Sequence, residues 1–348
     1  MPRIEAESIC LLRTSALGDV VNALVLVNGL RRGYPSAHIT WITQTVPGEL
    51  IAGHPAVDRF ITYDRRMRRG EWIRFIRKLH RESFDLLIVP QVSMKASLLT
   101  WAIRSPVKLG YDIHRARELN WFVTTHRIPP NPMGHVVDQN LEFLAYLGIE
   151  PRDPEWKICL TDAELEWRKR WMNKVSRPMA AFVSASSRSE KDWPEENYAV
   201  IIDRVDRELG LQPVIIGGPG SNERERANRI LKRTAADVII ALEKPIRHTL
   251  IQLSASRVVI APDTGPLHMA VALNIPTVGL YGYSNPNRCG PYRFRELCVD
   301  AFNSPGTPPE RVSRKTRPGR MATITPDMVF DKIKRALTEP YAPDYPLK

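Results

Sequence analysis

The sequence predicts an α/β protein made of two Rossmann-like domains, and three observations carry that expectation. Short apolar runs alternate with helix-length amphipathic segments, the pattern of a parallel sheet covered on both faces. The alternation begins twice, once near Ser8 and again near Met179. In each half a strand-like run breaks at a tight polar turn and restarts as a helix, at Ser15–Val21 and at Pro262–His268. A strand feeding a helix through such a turn gathers free backbone N–H groups and a positive dipole end, which suits a phosphate. Two such turns suggest a nucleotide held by one domain and chemistry supplied by the other. Substrates would then sit at the carboxyl ends of the strands, in the cleft between the domains.

Taken in order, residues 8–13 read as a strand and 19–32 as a helix that ends near Gly33, ahead of Tyr34-Pro35. His38–Thr43 and Arg59–Tyr63 read as strands, Glu71–Arg81 as a basic helix, and Asp85–Val89 as a buried strand. Pro129–Pro132 marks a loop and Val136–Leu147 a helix. Residues 149–162 are irregular, and a helix over Asp162–Val175 leads to Arg177-Pro178. The pattern then restarts: strands at Met179–Val183, Gln212–Ile216, Val238–Leu242, Arg257–Ala261 and Ile275–Tyr281, with helices at Glu196–Leu209, at Glu223–Arg233 and from Pro266. The Pro-, Arg- and Gly-rich tail Ser304–Arg320 is expected to be mobile, and Pro326–Leu337 to be a last amphipathic helix. The expected organisation is an N-terminal domain over 1–160, a linker helix region over 161–177 and a C-terminal domain over 178–322. Residues 323–348 are expected to be a helix and tail, with a return toward the first domain as one option.

Composition narrows the class. The 348 residues suffice for two domains of ordinary size, and 43% hydrophobic with 25% charged residues is the balance of a soluble globular chain. No run approaches the roughly eighteen apolar residues of a membrane span. Met1–Ile9 carries Arg3, Glu5 and Glu7 and lacks the apolar core of a secretory signal. Cys10, Cys159, Cys289 and Cys298 form no CxxC pair, so neither a disulfide framework nor a zinc motif is read, and a cytoplasmic setting is expected. The net charge of +12 attracts polyanions, whether nucleic acid, anionic headgroups or phosphorylated substrates. It is densest in RRMRRGEWIRFIRKLHR, residues 65–81.

Three turns in the second half could converge on a nucleotide. Ser184–Pro194 follows a strand with hydroxyls, an Arg and Lys191, all donors to phosphate oxygens; read locally, it is equally a solvated loop with Ser189 or Asp192 capping the next helix. Gly217-Gly218-Pro219-Gly220-Ser221-Asn222-Glu223 approaches a dinucleotide fingerprint, but Glu223 stands where the last Gly belongs. Glu223 could hold ribose hydroxyls or simply support a helix N-terminus. In Asp263-Thr264-Gly265-Pro266-Leu267-His268, Gly265 permits close approach, Pro266 fits a helix start and His268 lies one turn in. An Asp or Thr cap beside a structural His explains the cap but not the crowding of that tip. In the first half, Gly18-Asp19 follows the first strand, and Asp19 reads either as an N-cap or as a general base.

Three motifs taken together, LLRTSALGDVVNALVLVNGLRRGYPSAHITWIT, SSRSEKDWPEENY and PDTGPLHMAVALNIPTVGLYGYSNPNRCGPY, resemble those of the heptosyltransferases of glycosyltransferase family 9 across nearly the whole chain. The resemblance implies a GT-B fold and an inverting, metal-independent transfer of heptose from an ADP-sugar to a hydroxyl of the lipopolysaccharide inner core, on a Kdo or heptose acceptor. It implies no cofactor. Asp19 would be the catalytic base; Ser187 and Lys191 would hold the donor phosphates, Glu223 the ribose, and Asp263, Thr264, Gly265 and His268 the pyrophosphate and sugar. Ser15, Gly18, Arg65, Arg66, Arg68 and Arg69 fall to the acceptor side. Where many members carry Gly-Pro-Thr-Asp-Pro, this chain has Gly282-Tyr283-Ser284-Asn285-Pro286, which touches donor preference rather than fold.

The expected partners are an ADP-sugar, a phosphorylated glycolipid acceptor (a lipid A-core precursor) and the anionic inner face of the inner membrane, which the basic 65–81 segment would meet. Alternatives are a related transferase with another nucleotide sugar or glycan acceptor, an NAD(P)-dependent oxidoreductase opposed by the incomplete glycine pattern, and a catalytically dead homologue. A nucleic-acid-binding protein is a further alternative, opposed by the lack of any recognisable nucleic-acid motif; no specific nucleic acid is expected.

Overall fold

A computed structural model describes residues 4–150, 152–243, 245–303 and 312–338. The chain divides into two compact units, Met1–Lys157 and Ile158–Lys348.

The first unit runs β1 (Ser8–Leu12), α1 (Leu17–Asn22), α2 (Leu24–Gly33), β2 (His38–Gln44), α3 (Thr45–Ile51), β3 (Arg59–Tyr63), α4 (Arg69–Leu79) and β4 (Leu86–Ile88). It continues through α5 (Met94–Ala102), β5 (Val107–Gly110), α6 (Asn120–Val123), β6 (His126–Arg127) and α7 (Val136–Tyr146). Its six strands lie in the order β3-β2-β1-β4-β5-β6, all parallel. Ile9, Cys10, Leu11 and Leu12 of the central β1 have no exposed surface, as a strand covered on both faces requires. Each such side chain contributes about 1.5–3 kcal/mol of burial. Helix α2 packs closely on α7 because Gly29 has no side chain: a Cβ there would lie 2.1 Å from Leu144 Cδ1.

The second unit runs α8 (Asp162–Met172), β7 (Met179–Phe182), α9 (Glu195–Leu209), β8 (Gln212–Gly217), α10 (Ser221–Leu231), β9 (Ile239–Leu242) and α11 (Ile246–Ser254). It ends with β10 (Ser256–Pro262), α12 (Gly265–Ala272), β11 (Thr277–Tyr281), α13 (Pro286–Cys289), β12 (Val299–Asp300) and α14 (Pro326–Thr338). The sheet order β12-β11-β10-β7-β8-β9 repeats that of the first unit, read from the other edge. All its pairings are parallel. Helix α14 lays Val329, Phe330, Ile333 and Ala336 against α9, β10 and β11.

Both sheets therefore carry one point where the strand order reverses, between β1 and β4 and between β7 and β10. Loops leaving the carboxyl ends of those neighbours diverge and open a crevice.

Several elements differ from expectation. The single helix expected over 19–32 is two, because the Ala23 N–H is shared between Asp19 O and Val20 O and the turn tightens there. Helices α3, α5 and α11 and strand β5 were not read from the sequence. Of the tail expected to be mobile, residues 304–311 lie outside the described residues. Beyond them the chain is tied down: Thr316 bridges Ser284, and the Arg317 N–H donates to Tyr283 O at 3.0 Å. Cys10, Cys159, Cys289 and Cys298 are not joined in disulfides. Among the described residues, no helix is long and apolar enough to cross a membrane.

Candidate active site

In the second unit the crevice between β7 and β10 gathers charge. Beyond β7 the chain passes through Ser184–Arg188 and a 3-10 turn over Ser189–Lys191. The loop is closed by Asp192, whose Oδ1 accepts the Ser186 N–H at 2.8 Å. Burial pushes the Asp192 carboxyl up, and the hydrogen bond from Ser186 and the nearby Arg226 guanidinium offset only part of that. Neither Ser189 nor Asp192 caps α9: Pro194 stands at that N-cap, with no side-chain cap bond. The local reading of Asp192 as a cap is therefore replaced by a loop-closing role.

Beyond β10 comes Asp263, with Thr264 at the N-cap of α12. Lys191 Nζ donates to Asp263 Oδ2 at 2.6 Å and to Asp263 O at 3.2 Å. His268 Nε2 lies 3.5 Å from Asp263 Oδ1, with its side chain 7% exposed. Burial works against ionisation of Asp263, but His268 and the Lys191 ammonium outweigh it and hold the carboxyl well below the usual carboxylate range. Thr264 turns its hydroxyl back to Pro262 O at 3.1 Å, so the start of α12 takes no side-chain cap. A helix N-terminus without a side-chain cap, flanked by a Lys and a His and opened by Gly265, can receive an anion.

The remaining candidates lie on the same sheet edge. Ser187 is exposed in the loop after β7. Glu223, beyond β8, folds back so that Oε2 accepts the Gly220 N–H at 3.3 Å, and a Cβ at Gly218 would come within 2.8 Å of that oxygen. This is the carboxylate half of a capping box, and the small turn residues are what admit it. Arg188 Nη1 reaches Tyr283 Oη at 3.4 Å, so the 282–286 run contributes a ring where the family pattern has proline.

In the first unit, the crevice between β1 and β4 holds Asp19. It sits at the third position of α1, not at the N-cap, which is Ala16. Its Oδ1 pairs with Arg13 Nη2 at 2.7 Å and its Oδ2 accepts the Ala16 N–H at 3.1 Å. The Ser15–Ala16 peptide is cis, and Gly18 is buried one residue ahead of Asp19. Arg65, Arg66, Arg68 and Arg69 are exposed between β3 and the first turn of α4. They share the carboxyl edge with Asp19 but lie two strands from β1. Arg66 and neighbouring Arg74 and Lys78 line a groove of about 530 Å³.

Sequence reasoning missed three residues that organise these edges. Arg13 anchors Asp19 and also donates to Pro90 O. Gln91, just past β4, accepts the Thr14 N–H at 2.7 Å and its hydroxyl at 3.1 Å, closing the turn. Arg226 of α10 donates to Ser184 O at 2.6 Å, to Trp193 O and to Glu195 Oε1, fixing the loop that carries Lys191. A lone polar residue directly after an apolar run was the available signal for Gln91.

The family model described as glycosyltransferase family 9 (heptosyltransferase) matches residues 72–316. The chain belongs to glycosyltransferase family 9. Among family relatives, the lipopolysaccharide core heptosyltransferase OpsX of Haemophilus influenzae is 29% identical over 297 residues, 85% of each chain. The lipopolysaccharide heptosyltransferase 1 of Pseudomonas aeruginosa is 29% identical over 297 residues, covering 82% of this chain and 81% of its own. A family 9 crystal structure from Veillonella parvula superposes with a TM-score of 0.81 at 22% identity, covering 95% of this chain and 97% of the other. The E. coli heptosyltransferase WaaC with ADP-2-deoxy-2-fluoro heptose gives 0.73 at 22% identity, covering 94% and 99%. These likenesses establish the GT-B class of two Rossmann-like units that family membership implied.

Proposed function

We propose that this family 9 glycosyltransferase moves a heptose from an ADP-sugar to a hydroxyl of the lipopolysaccharide inner core, with inversion and without a metal. The observation that carries the reading is the Lys191–Asp263–His268 cluster beside the start of α12, which has no side-chain cap, at the strand-order reversal of the second sheet. The names of the relatives, and the ADP-heptose analogue bound to one structural neighbour, support donor and acceptor alike.

In this reading the second unit holds the donor. Lys191 and the α12 N-terminus neutralise the diphosphate as it departs, the positive charge a metal would otherwise supply. Glu223 meets the ribose and Ser187 adds a hydroxyl. Asp19 takes the proton from the acceptor hydroxyl; that oxygen attacks the anomeric carbon from the side opposite ADP, and the bond to the diphosphate breaks with its electron pair leaving on ADP. One base, a stabilised leaving group and alignment suffice. Arg13 and the Ala16 N–H fix the carboxylate of Asp19 in place. Ser15, Gly18, Arg65, Arg66, Arg68 and Arg69 receive the phosphorylated acceptor, and the enzyme works in the cytoplasm at the inner face of the inner membrane.

Calorimetric titration with ADP, UDP, GDP and NAD⁺, with and without Mg²⁺, tests the donor half. ADP binding best, unchanged by Mg²⁺, is the expected outcome. UDP or GDP binding best would move the enzyme to another sugar, and NAD⁺ binding best would sink the transferase reading of this site.

A further inference from the structure

The outward face of α5 is apolar where a helix on a sheet normally turns polar. Ala96, Ser97, Leu99, Thr100 and Ala102 are buried, yet Met94, Leu98 and Trp101 are exposed, Trp101 to 66%. Those three recur at the spacing of one helical face. Helix α6 packs beside α5 and extends the stripe with Leu119 and with Phe122, which is 80% exposed. The arrangement is held together: the Met94 N–H donates to Glu118 Oε2 at 2.5 Å and the Ser97 hydroxyl to Glu118 O at 2.7 Å. Exposed apolar side chains gathered on two neighbouring helices mark a contact.

The flanks say what it contacts. On one side α4 packs against α5, with the Lys95 ammonium 5.8 Å from the Trp72 ring centre. That helix buries Phe75 and Leu79 in the core while Arg74, Arg77 and Lys78 remain exposed, followed by Arg81. Glu71 is the one acidic residue between Arg65 and Arg81. Beyond α6, the Arg127 guanidinium stacks 3.5 Å over Trp121. Aromatic and aliphatic tips between cationic margins match a bilayer surface, where rings settle at headgroup level and Lys or Arg meet anionic lipids. A second copy of the chain on this stripe would set cation against cation at both margins. A polyanion bound through charge alone would leave the apolar stripe in water.

We propose that the α4–α5–α6 face seats the protein on an anionic lipid bilayer, with Trp101 and Phe122 entering the interface and the α4 cations over the headgroups. The inference deepens the reading of a membrane-borne acceptor, yet its test contains neither donor nor acceptor, so the two fail separately.

The intact protein is sedimented with vesicles of phosphatidylcholine alone and with vesicles containing about 30% phosphatidylglycerol. Binding to the anionic vesicles, reduced about tenfold or more in W101S/F122S, is expected. In R77E/R81E the preference for anionic over neutral vesicles should largely vanish. Both variants are exposed at the changed positions, and an unchanged urea unfolding midpoint measured alongside confirms that the fold survives. Equal vesicle binding by wild type and W101S/F122S, or no binding by the wild type, overturns the proposal. So does light scattering in which W101S/F122S turns an oligomer into a monomer, since the stripe would then be an interface between copies.

Discussion

Lys191 Nζ lies 2.6 Å from Asp263 Oδ2, tying together the loops that leave the neighbouring parallel strands β7 and β10. The two side chains are 20% and 14% exposed, so the pair works in a medium far less screening than water. A diphosphate arriving here would compete with a carboxylate for the same ammonium, and binding becomes an exchange of partners.

Removing that ammonium should separate two effects. Lys191→Ala is expected to weaken ADP binding roughly ten- to 150-fold, the loss of one charge-assisted contact of about 1.5–3 kcal/mol. It should also lower stability by a similar amount, because Asp263 loses a partner in a sheltered place. Titration calorimetry reads the first and urea unfolding the second. Unchanged ADP affinity with reduced stability would make Lys191 purely structural.

Acid should expose the same carboxylate. Its pKa is depressed in the folded protein, so the stability it contributes is fully present above the ordinary carboxyl value of about 3.9 and fades as pH falls below it. Asp263→Asn should therefore be less stable than wild type by about 2 kcal/mol at pH 6. The difference should shrink steadily between about pH 4 and pH 2. Denaturant midpoints across that range check it; a gap independent of pH would mean that ionisation of Asp263 adds nothing to folding.

For the proposed base, Asp19→Asn keeps shape and most hydrogen bonding while removing proton acceptance. Turnover should fall about 10²–10⁴-fold with ADP affinity nearly constant. Near-normal turnover would take Asp19 out of the chemistry and leave it as the partner of Arg13.

Glu223 offers a finer distinction. Its bond to the Gly220 N–H supports the start of α10. Glu223→Gln keeps that cap and should leave stability within about 0.5 kcal/mol, whereas Glu223→Ala should cost about 1 kcal/mol. If the carboxylate meets the ribose, both substitutions weaken ADP binding and leave the affinity for inorganic diphosphate alone. Equal loss for ADP and diphosphate would confine Glu223 to shaping the turn.

Much of the fold was legible because parallel strands are apolar without interruption. Ile9–Leu12 and Val258–Ala261 announce themselves, and both are central strands with no exposed surface. Helix α5 was not legible for the complementary reason: with Met94, Leu98 and Trp101 apolar outside and Leu99 and Ala102 apolar inside, no period stands out. In α3, Pro47 and Gly48 mask a helix. At the candidate site, Lys191, Asp263 and His268 were visible because each lies in the loop or first helical turn that follows a strand, and the structure brings them together. Gln91 and Arg226 were not, since what they do depends on segments far away in sequence, and Arg13 was not because its bond to Asp19 forms only once the turn between them folds. Gln91 meets Thr14 across 77 residues, and only the sheet order makes them neighbours.

The hydroxyl of Thr264 points to Pro262 O rather than along α12. That helix is thus left to be finished by whatever anion settles on it. Its first turn should be among the faster-exchanging amides of the second unit in the empty protein and among the most slowed once ADP is present. A nucleotide seated there would behave as a missing piece of secondary structure, and its occupancy could be followed residue by residue through the Gly265 and Leu267 amides, without any turnover at all.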